Sequence, residues 1–457
     1  MTHPLDREIV RLAFPAFLAL VAEPVFLLSD AAIVGHLGTP ELAGLGIAAV
    51  VLQTVVGLCV FLAYGTTSSV ARHLGAGDLR GALAQGVDGL WLAVLIGAVA
   101  TVLGLLLTDP LVGAFGAGAE VTEHAATYLR IAVLGITPLL VMLAATGVLR
   151  GLQDTRTPLV VAVAGTVLNV LLNLLLVYGV PVDVMAFDGL GIAGSALGSV
   201  LAQLASAAAL ATVVVRGARR EGSPLSPDRA GITAAARAAV ALVIRTLTLR
   251  GALLVTTYAV VLAARSGPDG LGGDDSVSVA THQLAFTIWT FQAFALDAIA
   301  IAAQALTGRQ LGAGDVDATR AVTKRMILWG IWGGVVLGVL TLVTAPFVGA
   351  LFTGDQSVRD LLVPVLVVVA IGQPLSGLVF VLDGVLIGAG DGTYLAKAGL
   401  VMFAVYAPVV LAVAALVGGL VWVWIVFTVV LMGSRAILLV RRERGDAWLV
   451  TGIRSVA

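Results

Sequence analysis

The chain contains long runs of predominantly apolar residues, separated by short clusters of Gly, Pro and charged residues. A helix needs about 20 such residues to cross the hydrocarbon core of a bilayer, where every backbone N–H and C=O must be satisfied within the segment. The chain is therefore predicted to be an all-α integral membrane protein with twelve transmembrane helices. These are predicted near residues 8–35, 43–71, 83–107, 121–149, 158–179, 190–215, 237–265, 277–307, 322–350, 359–388, 393–417 and 419–440.

Composition agrees with a chain whose main partner is the lipid bilayer. Of its 457 residues, 59% are hydrophobic and 12% charged, and the mean hydropathy is +1.06, far outside the range of soluble domains. A net charge of −1 gives no indication of a nucleic-acid partner. The single cysteine, Cys59, excludes an internal disulfide, and five scattered histidines supply no ligand cluster, so no cofactor is predicted.

Basic residues are sorted between the two sides of the predicted membrane. The connections after odd-numbered helices contain only Arg130, Arg265 and Arg359, each at a helix edge. Because cytoplasmic loops carry the excess of Lys and Arg, both termini are predicted to be cytoplasmic, in the inner (cytoplasmic) cell membrane. The connections assigned to the cytoplasm contain Arg72, Arg80, Arg150, Arg156, Arg216, Arg219, Arg220, Arg229, Arg309, Arg320, Lys324 and Arg325, and the tail adds Arg441, Arg442 and Arg444.

Two motifs recur at the same distance. RHLGAGD at 72–78 returns as RQLGAGD at 309–315, and GVLRGLQD at 147–154 returns as GVLIGAGD at 384–391, an offset of 237 residues in both cases. Six predicted helices precede the hydrophilic stretch near 216–236 and six follow it, which predicts two bundles related by a parallel pseudo-twofold repeat. The predicted division is an N-terminal lobe at 1–215, a cytoplasmic linker at 216–236, a C-terminal lobe at 237–440 and a cytoplasmic tail at 441–457. The LGAGD loops are predicted to be tight turns and helix caps.

Several motifs together resemble the multidrug and toxic compound extrusion (MATE) family, and most closely its DinF-like branch. The resemblance rests on SDAAIVGHLG, ARHLGAGD, GVLRGLQDTRTP, LNVLLNLLLVYG and LDAIAIAAQALTGRQLGAGD, and it covers nearly the whole chain. It implies a V-shaped transporter, expected to be monomeric, and not an enzyme. The implied function is a secondary active efflux antiporter that exports organic, often cationic or amphipathic, compounds in exchange for protons or sodium ions.

A single acid, Asp30, lies within the first apolar run. A carboxylate in the membrane core costs at least about 2.5–3.5 kcal/mol, so such residues face the bundle interior and mark ion pathways. Polar residues share one face on helix 5 (Thr166, Asn169 and Asn173) and on helix 6 (Ser195, Ser199 and Gln203). If these stripes converge on Asp30, the site could bind a proton or a small cation.

The resemblance implies the same site. Asp30, Asn169 and Ser199 match the family's ion-coupling positions, and Pro15 matches its helix-bending proline. Asn173 stands where many relatives carry a second aspartate, which favours protons as the coupling ion. Sodium bound at Asp30, Asn169 and Asn173 is the alternative. Two further residues of helix 1 are also predicted to take part: Pro24 by making bending plausible, and Glu23 by relaying protons, although Glu23 could equally face a water-filled vestibule.

The second half carries its own polar stripe on helix 8, while the acid and amides of the first half have no copies there. At the 237-residue offset, Asp30, Asn169 and Asn173 map to Gly267, Tyr406 and Val410. Ion coupling is therefore predicted in the N-terminal lobe and substrate contact in the C-terminal lobe. The predicted substrate-cleft residues are Gln283, Gln292, Asp297 and Asp383, with a structural role for Asp383 left open.

One alternative within transport is a flippase for lipid-linked precursors, from the same superfamily. Such a protein should hold pyrophosphate with basic residues deep in its cavity, for which Arg245 and Arg250 are the candidates. The sequence contains no P-loop and no membrane protease motif, which argues against an ATP-driven pump or an intramembrane enzyme.

Overall fold

The computed structural model describes residues 4–180, 187–265 and 275–453. In this part of the chain, twelve helices are long and apolar enough to cross a membrane, which confirms the predicted count. We number them α1 to α12. Their bounds are Pro4–Gly35, Thr39–Gly75, Leu79–Gly113, Ala119–Gly151, Arg156–Tyr178, Ile192–Arg220, Arg229–Arg265, Asp275–Gly312, Val316–Phe352, Gln356–Gly388, Gly392–Leu416 and Leu420–Arg444.

Three helices are locally irregular. Helix α2 is broken at Val60, α4 contains a 3₁₀ turn at Val133–Gly135, and α12 contains a π-helical stretch at Phe427–Met432. Two short antiparallel strands, β1 (Gly179–Val180) and β2 (Phe187–Asp188), pair between α5 and α6. This pair of strands was not predicted from the sequence.

The repeated LGAGD loops are turns that cap the following helix. Asp78 accepts a hydrogen bond from the Gly81 N–H at 2.8 Å at the start of α3, and Asp315 accepts one from the Ala318 N–H at 2.8 Å at the start of α9. Gly77 has φ of +76° and Gly314 has φ of +78°, values that favour glycine. The prediction of turns and caps is therefore confirmed for both copies.

The chain divides into two compact units. Phe14–Ala239 makes up most of the first, and Val240–Gly452 makes up most of the second. The residues up to Ala13 group with the second unit, whereas the sequence analysis placed them in the N-terminal lobe. Position 267, the repeat partner of Asp30, lies outside the described residues.

Ion pairs hold the start of α1 on the second unit. Asp6 accepts hydrogen bonds from Arg325 Nε at 2.6 Å and from Trp329 Nε1 at 2.8 Å. Glu8 accepts one from Arg309 Nη1 at 2.9 Å. These contacts explain why the first turns of α1 group with α8 and α9.

Within the second unit, small residues let α9 and α10 pack backbone to backbone. A Cβ atom added at Gly330, Gly334 or Gly338 would overlap a backbone carbonyl oxygen of α10. The glycines spaced four apart on α9 therefore serve close packing, which is the usual role of this spacing in membranes.

Candidate functional site

Asp30 lies near the C-terminal end of α1 in the first unit, with 3% of its surface exposed. Its carboxylate accepts three hydrogen bonds from three other helices. The Tyr128 hydroxyl of α4 donates to Oδ2 at 2.8 Å, Asn173 Nδ2 of α5 donates to Oδ1 at 2.7 Å, and the Ser195 hydroxyl of α6 also donates to Oδ1. One member of each predicted polar stripe, Asn173 on α5 and Ser195 on α6, thus contacts Asp30, whereas Thr166 bonds to the Ala162 carbonyl oxygen of its own helix.

Glycine positions bring α5 and α6 close enough for these contacts. A Cβ at Gly194 would overlap the Leu176 carbonyl group, and one at Gly198 would overlap the Asn173 side chain. In the next turn of α5, Asn169 Nδ2 donates to the Ser199 hydroxyl at 3.0 Å. Ser199 is thus linked to the site through Asn169, while Ser195 contacts the carboxylate directly.

Two influences oppose each other at Asp30, because burial favours the neutral acid whereas donors directed at a carboxylate favour its charged form. Two acceptors in the same cluster remain unused. The Oδ1 atoms of Asn169 and Asn173 are buried and have no hydrogen-bond partner among the residues that the structure describes. Buried acceptors of this kind are rare and normally face a water, a donor or an ion. The Asn173 oxygen lies against Gly198 while its nitrogen faces Asp30, so the amide would have to turn before its oxygen could join the carboxylate in binding a small cation.

The hydroxyl groups of Tyr128 and Ser195 can pair with either protonation state of Asp30. A hydroxyl can donate or accept, whereas the amide nitrogen of Asn173 can only donate. When Asp30 is ionised, Tyr128 and Ser195 can both donate to it. When Asp30 binds a proton, either hydroxyl can turn and accept from it without any backbone movement.

The structure places the remaining predicted residues of α1 as follows. Pro15 and Pro24 both lie inside α1, which runs without a break from Pro4 to Gly35. Glu23 is exposed at the surface of its unit, and the structure records no hydrogen bond or ion pair for it among the described residues. It is therefore not joined to the Asp30 cluster by any recorded contact.

The predicted cleft residues of the second unit differ in their surroundings. Gln283 is exposed on α8 and Asp297 is half-buried. Gln292 is 6% exposed; it donates to Thr341 and accepts from Gln373. Its polar atoms are thus engaged in the interior of the unit, and an assignment of Gln292 to an open cleft is not supported.

Asp383 is also engaged in the interior. It accepts hydrogen bonds from Arg245 of α7 and, at 3.0 Å, from Arg435 of α12. This pairing favours the structural role left open for Asp383 over direct substrate contact. It also accounts for Arg245 as an ion-pair partner, while Arg250 is exposed.

Sequence reasoning missed Tyr128. It is 5% exposed on α4, and a buried tyrosine hydroxyl normally has a hydrogen-bond partner. That rule could have marked Tyr128 as a polar group in search of an acceptor. It could not have identified Asp30 as the acceptor.

The fold is that of known membrane transporters. It is similar to the Vibrio cholerae MATE transporter VcmN with a TM-score of 0.84 at 21% identity, covering 97% of this chain and 98% of that one. It is also similar to a MOP superfamily transporter from Pyrococcus furiosus, with a TM-score of 0.82 at 22% identity and 96% of each chain covered.

The MatE family model matches residues 15–175 and 271–413, more than half of the chain. The protein therefore belongs to the MatE (MATE) family of multidrug efflux transporters, as the resemblance implied. The family and the solved neighbours are membrane transporters and not enzymes.

Two relatives illustrate the range of the match. Protein DETOXIFICATION 44, chloroplastic, of Arabidopsis thaliana is 32% identical over 434 residues, which cover 92% of this chain and 79% of that protein. DNA damage-inducible protein F of Escherichia coli (strain K12) is 27% identical over 451 residues, which cover 97% of this chain and 94% of that protein.

Proposed function

We propose that this protein is a secondary active antiporter that exports organic compounds in exchange for protons, with Asp30 as the ion-binding group. The observation that carries the proposal is the burial of the Asp30 carboxylate among donors from α4, α5 and α6. A carboxyl group inside a membrane bundle, whose neighbours can pair with either its ionised or its protonated form, has the properties of a proton carrier.

The exchange follows from the two arrangements of the site. Ionised Asp30 holds Tyr128, Asn173 and Ser195 around it and so ties α1 to its neighbours. Protonation weakens these charge-assisted hydrogen bonds and changes how firmly α1 is held. Pro15 and Pro24 each remove a backbone hydrogen bond from α1 and lower the cost of bending it. Proton binding then shifts the equilibrium between two conformations of α1 toward the one that binds the proton more tightly.

Sodium is the second candidate ion, and a specific observation favours it. The unused Oδ1 atoms of Asn169 and Asn173 would supply two ligand oxygens beside Asp30, of the kind that hard cations prefer. A turn of the Asn173 amide would be needed, since its nitrogen now faces the carboxylate. A single carboxylate gives a cation little charge compensation, so we place protons first.

The sequence also supports a wider assignment. We propose two lobes, with the chain in the cytoplasmic membrane, both termini in the cytoplasm and a monomeric state. Ion coupling belongs to the first lobe, and substrate contact belongs to the second, through Gln283 and Asp297. A lipid-precursor flippase is less well supported, because Arg245 is paired with Asp383 and Arg250 is exposed.

The test is transport by the purified protein in proteoliposomes that contain a fluorescent organic cation. An imposed pH gradient with sodium rigorously absent should drive accumulation of the cation. If there is no transport until a sodium gradient is imposed, sodium is the coupling ion. The antiporter assignment would be overturned if the cation moved only down its own concentration gradient and neither the pH gradient nor the sodium gradient drove its accumulation.

A further inference from the structure

Helix α1 is buried near both of its ends and much less in between. Toward its start, Ile9 and Leu12 are each 1% exposed, and toward its end Asp30 is 3% exposed and Val34 is fully buried. Every residue at 17–29 is half-buried or exposed. The helix is therefore held through two separate segments, one at each end.

The two segments belong to different units. The residues up to Ala13 group with the second unit and those from Phe14 onward with the first. Pro15 lies two residues beyond this boundary. Because α1 is one unbroken helix, a change in how it is held at Asp30 can reach its start, provided that the start is fixed.

The start of α1 is fixed by a carboxylate that has three donors. Arg325 of α9 donates to Asp6 through Nε at 2.6 Å and through Nη2 at 2.5 Å, and Trp329 Nε1 of α9 donates to it at 2.8 Å. Glu8 forms a second ion pair, with Arg309 of α8 at 2.9 Å. A two-pronged pair between Arg and a carboxylate fixes orientation as well as distance, so Asp6 sets one defined position of α1 against α9.

A second ion pair of α9 shows what an ordinary surface contact looks like. Arg320 pairs with Asp446, whose side chain is 89% exposed, and such pairs contribute little. The Asp6 side chain is only 13% exposed, and it accepts from an indole as well as from a guanidinium group. Its contacts are thus those of a built attachment point for α1.

We propose that Asp6, together with Arg325 and Trp329, is the anchor through which ion binding at Asp30 acts on the second unit. Asp6 is a positioning residue, since it contacts neither the ion nor the substrate. The inference rests on the proposed function, in which Asp30 is the ion-binding group. With the anchor in place, a change of α1 at Asp30 biases the second unit. With the anchor released, α1 responds to Asp30 while the second unit changes conformation without that bias.

The first measurement is a double-mutant cycle read at Trp329, by fluorine NMR of protein that contains fluorotryptophan. Trp329→Phe assigns the signal, and Asp30→Asn imitates the protonated acid at constant pH. Asp6 and Asp30 lie 24 residues apart on α1, about 36 Å at 1.5 Å per residue, and changes so far apart normally act independently. We expect Asp30→Asn to shift the Trp329 signal in otherwise wild-type protein, and not to shift it in a variant with Asp6→Ala and Glu8→Ala.

The second measurement is transport in proteoliposomes. Under a gradient of one pH unit, the accumulation ratio of about tenfold expected for the wild type should fall toward one in the variant with Asp6→Ala and Glu8→Ala, while downhill flux is retained. This variant should fold, because the arginines that lose their partners are already 34% and 37% exposed. A merely destabilised protein would lose accumulation and downhill flux together.

Two further variants complete the test. Asp446→Ala removes an ion pair from the same helix α9 without touching α1, so it is the matched control and should accumulate substrate as the wild type does. Should the variant with both Asp6→Ala and Glu8→Ala fail to fold, Arg325→Gln replaces it, because Asp6 then keeps its Trp329 donor.

The results distinguish this inference from the proposed function. Absence of pH-driven accumulation in the wild type would refute proton coupling, whatever the Trp329 signal shows. The anchor would be refuted if Asp30→Asn left the Trp329 signal in place, or shifted it equally with and without the anchoring side chains. Wild-type accumulation by the folded anchor variant would refute it as well.

Discussion

Replacing Asp30 by Asn tests the ion-coupling site with little change in its shape. The amide keeps an oxygen that can accept from Asn173 and Ser195, and its nitrogen can donate to the Tyr128 hydroxyl once that hydroxyl has turned. Each hydrogen bond to a charged group becomes a neutral one and loses about 1 kcal/mol, or about 3 kcal/mol for the three. Removing the buried charge returns about 2.5–3.5 kcal/mol. The folded protein should therefore keep its stability within about 1 kcal/mol.

Transport should change far more than stability. A gradient of one pH unit is worth about 1.4 kcal/mol per proton, which supports about tenfold accumulation of substrate if one proton is exchanged in an electroneutral step. The Asp30→Asn protein has no group at this position that can bind the proton. Its accumulation ratio should fall to about one, the value reached by downhill equilibration.

The assay compares accumulation of a fluorescent organic cation in proteoliposomes of matched protein content. Asp109→Asn is the control, because Asp109 is 70% exposed and pairs at the surface of the same unit with Arg130 at 2.5 Å. This control makes the same chemical change and should accumulate substrate as the wild type does. If the Asp30→Asn protein reached the wild-type ratio under the pH gradient, Asp30 would not be the coupling residue.

Three further predictions follow from other parts of the structure. Asn173→Asp sets a second carboxylate at hydrogen-bonding distance from Asp30, where both cannot stay ionised without a cation. Sodium should therefore raise the unfolding temperature or the transport rate of this variant more than it does for the wild type. Equal responses of the two proteins to sodium would contradict this. Gly334→Ala should cost about 1–3 kcal/mol in unfolding experiments, because its Cβ meets the α10 backbone, whereas Gly433→Ala, where nothing lies within 4 Å, should be neutral or stabilising. The Gly81 N–H holds the pKa of Asp78 below its usual value. The cap therefore contributes stability above about pH 4 and loses it as the pH falls through the lowered pKa. Hydrogen exchange at the start of α3 should then accelerate, and Asp78→Ala should remove this pH dependence.

Much of the architecture could be predicted from local sequence, because a bilayer leaves a spanning segment few alternatives to a helix. Twelve apolar runs became twelve helices. Asp30, Asn169 and Asn173 were found as polar residues in apolar surroundings, and helical periodicity placed the two amides on one face. The LGAGD turns could be predicted as well, since their glycine and capping aspartate act within a few residues.

The partners of each buried polar group were decided by the tertiary structure alone. Periodicity could not tell whether Ser195 or Ser199 would reach Asp30, nor that Tyr128 of α4 would. It could not show that the first turns of α1 belong with the second unit, or that Asp383 is shared by two arginines. These contacts depend on the rotation and depth of each helix, which are set by where small residues such as Gly194 and Gly198 allow close approach to a neighbour distant in sequence. Local sequence specifies which groups need a partner, and only the packing of the helices brings a particular partner within reach.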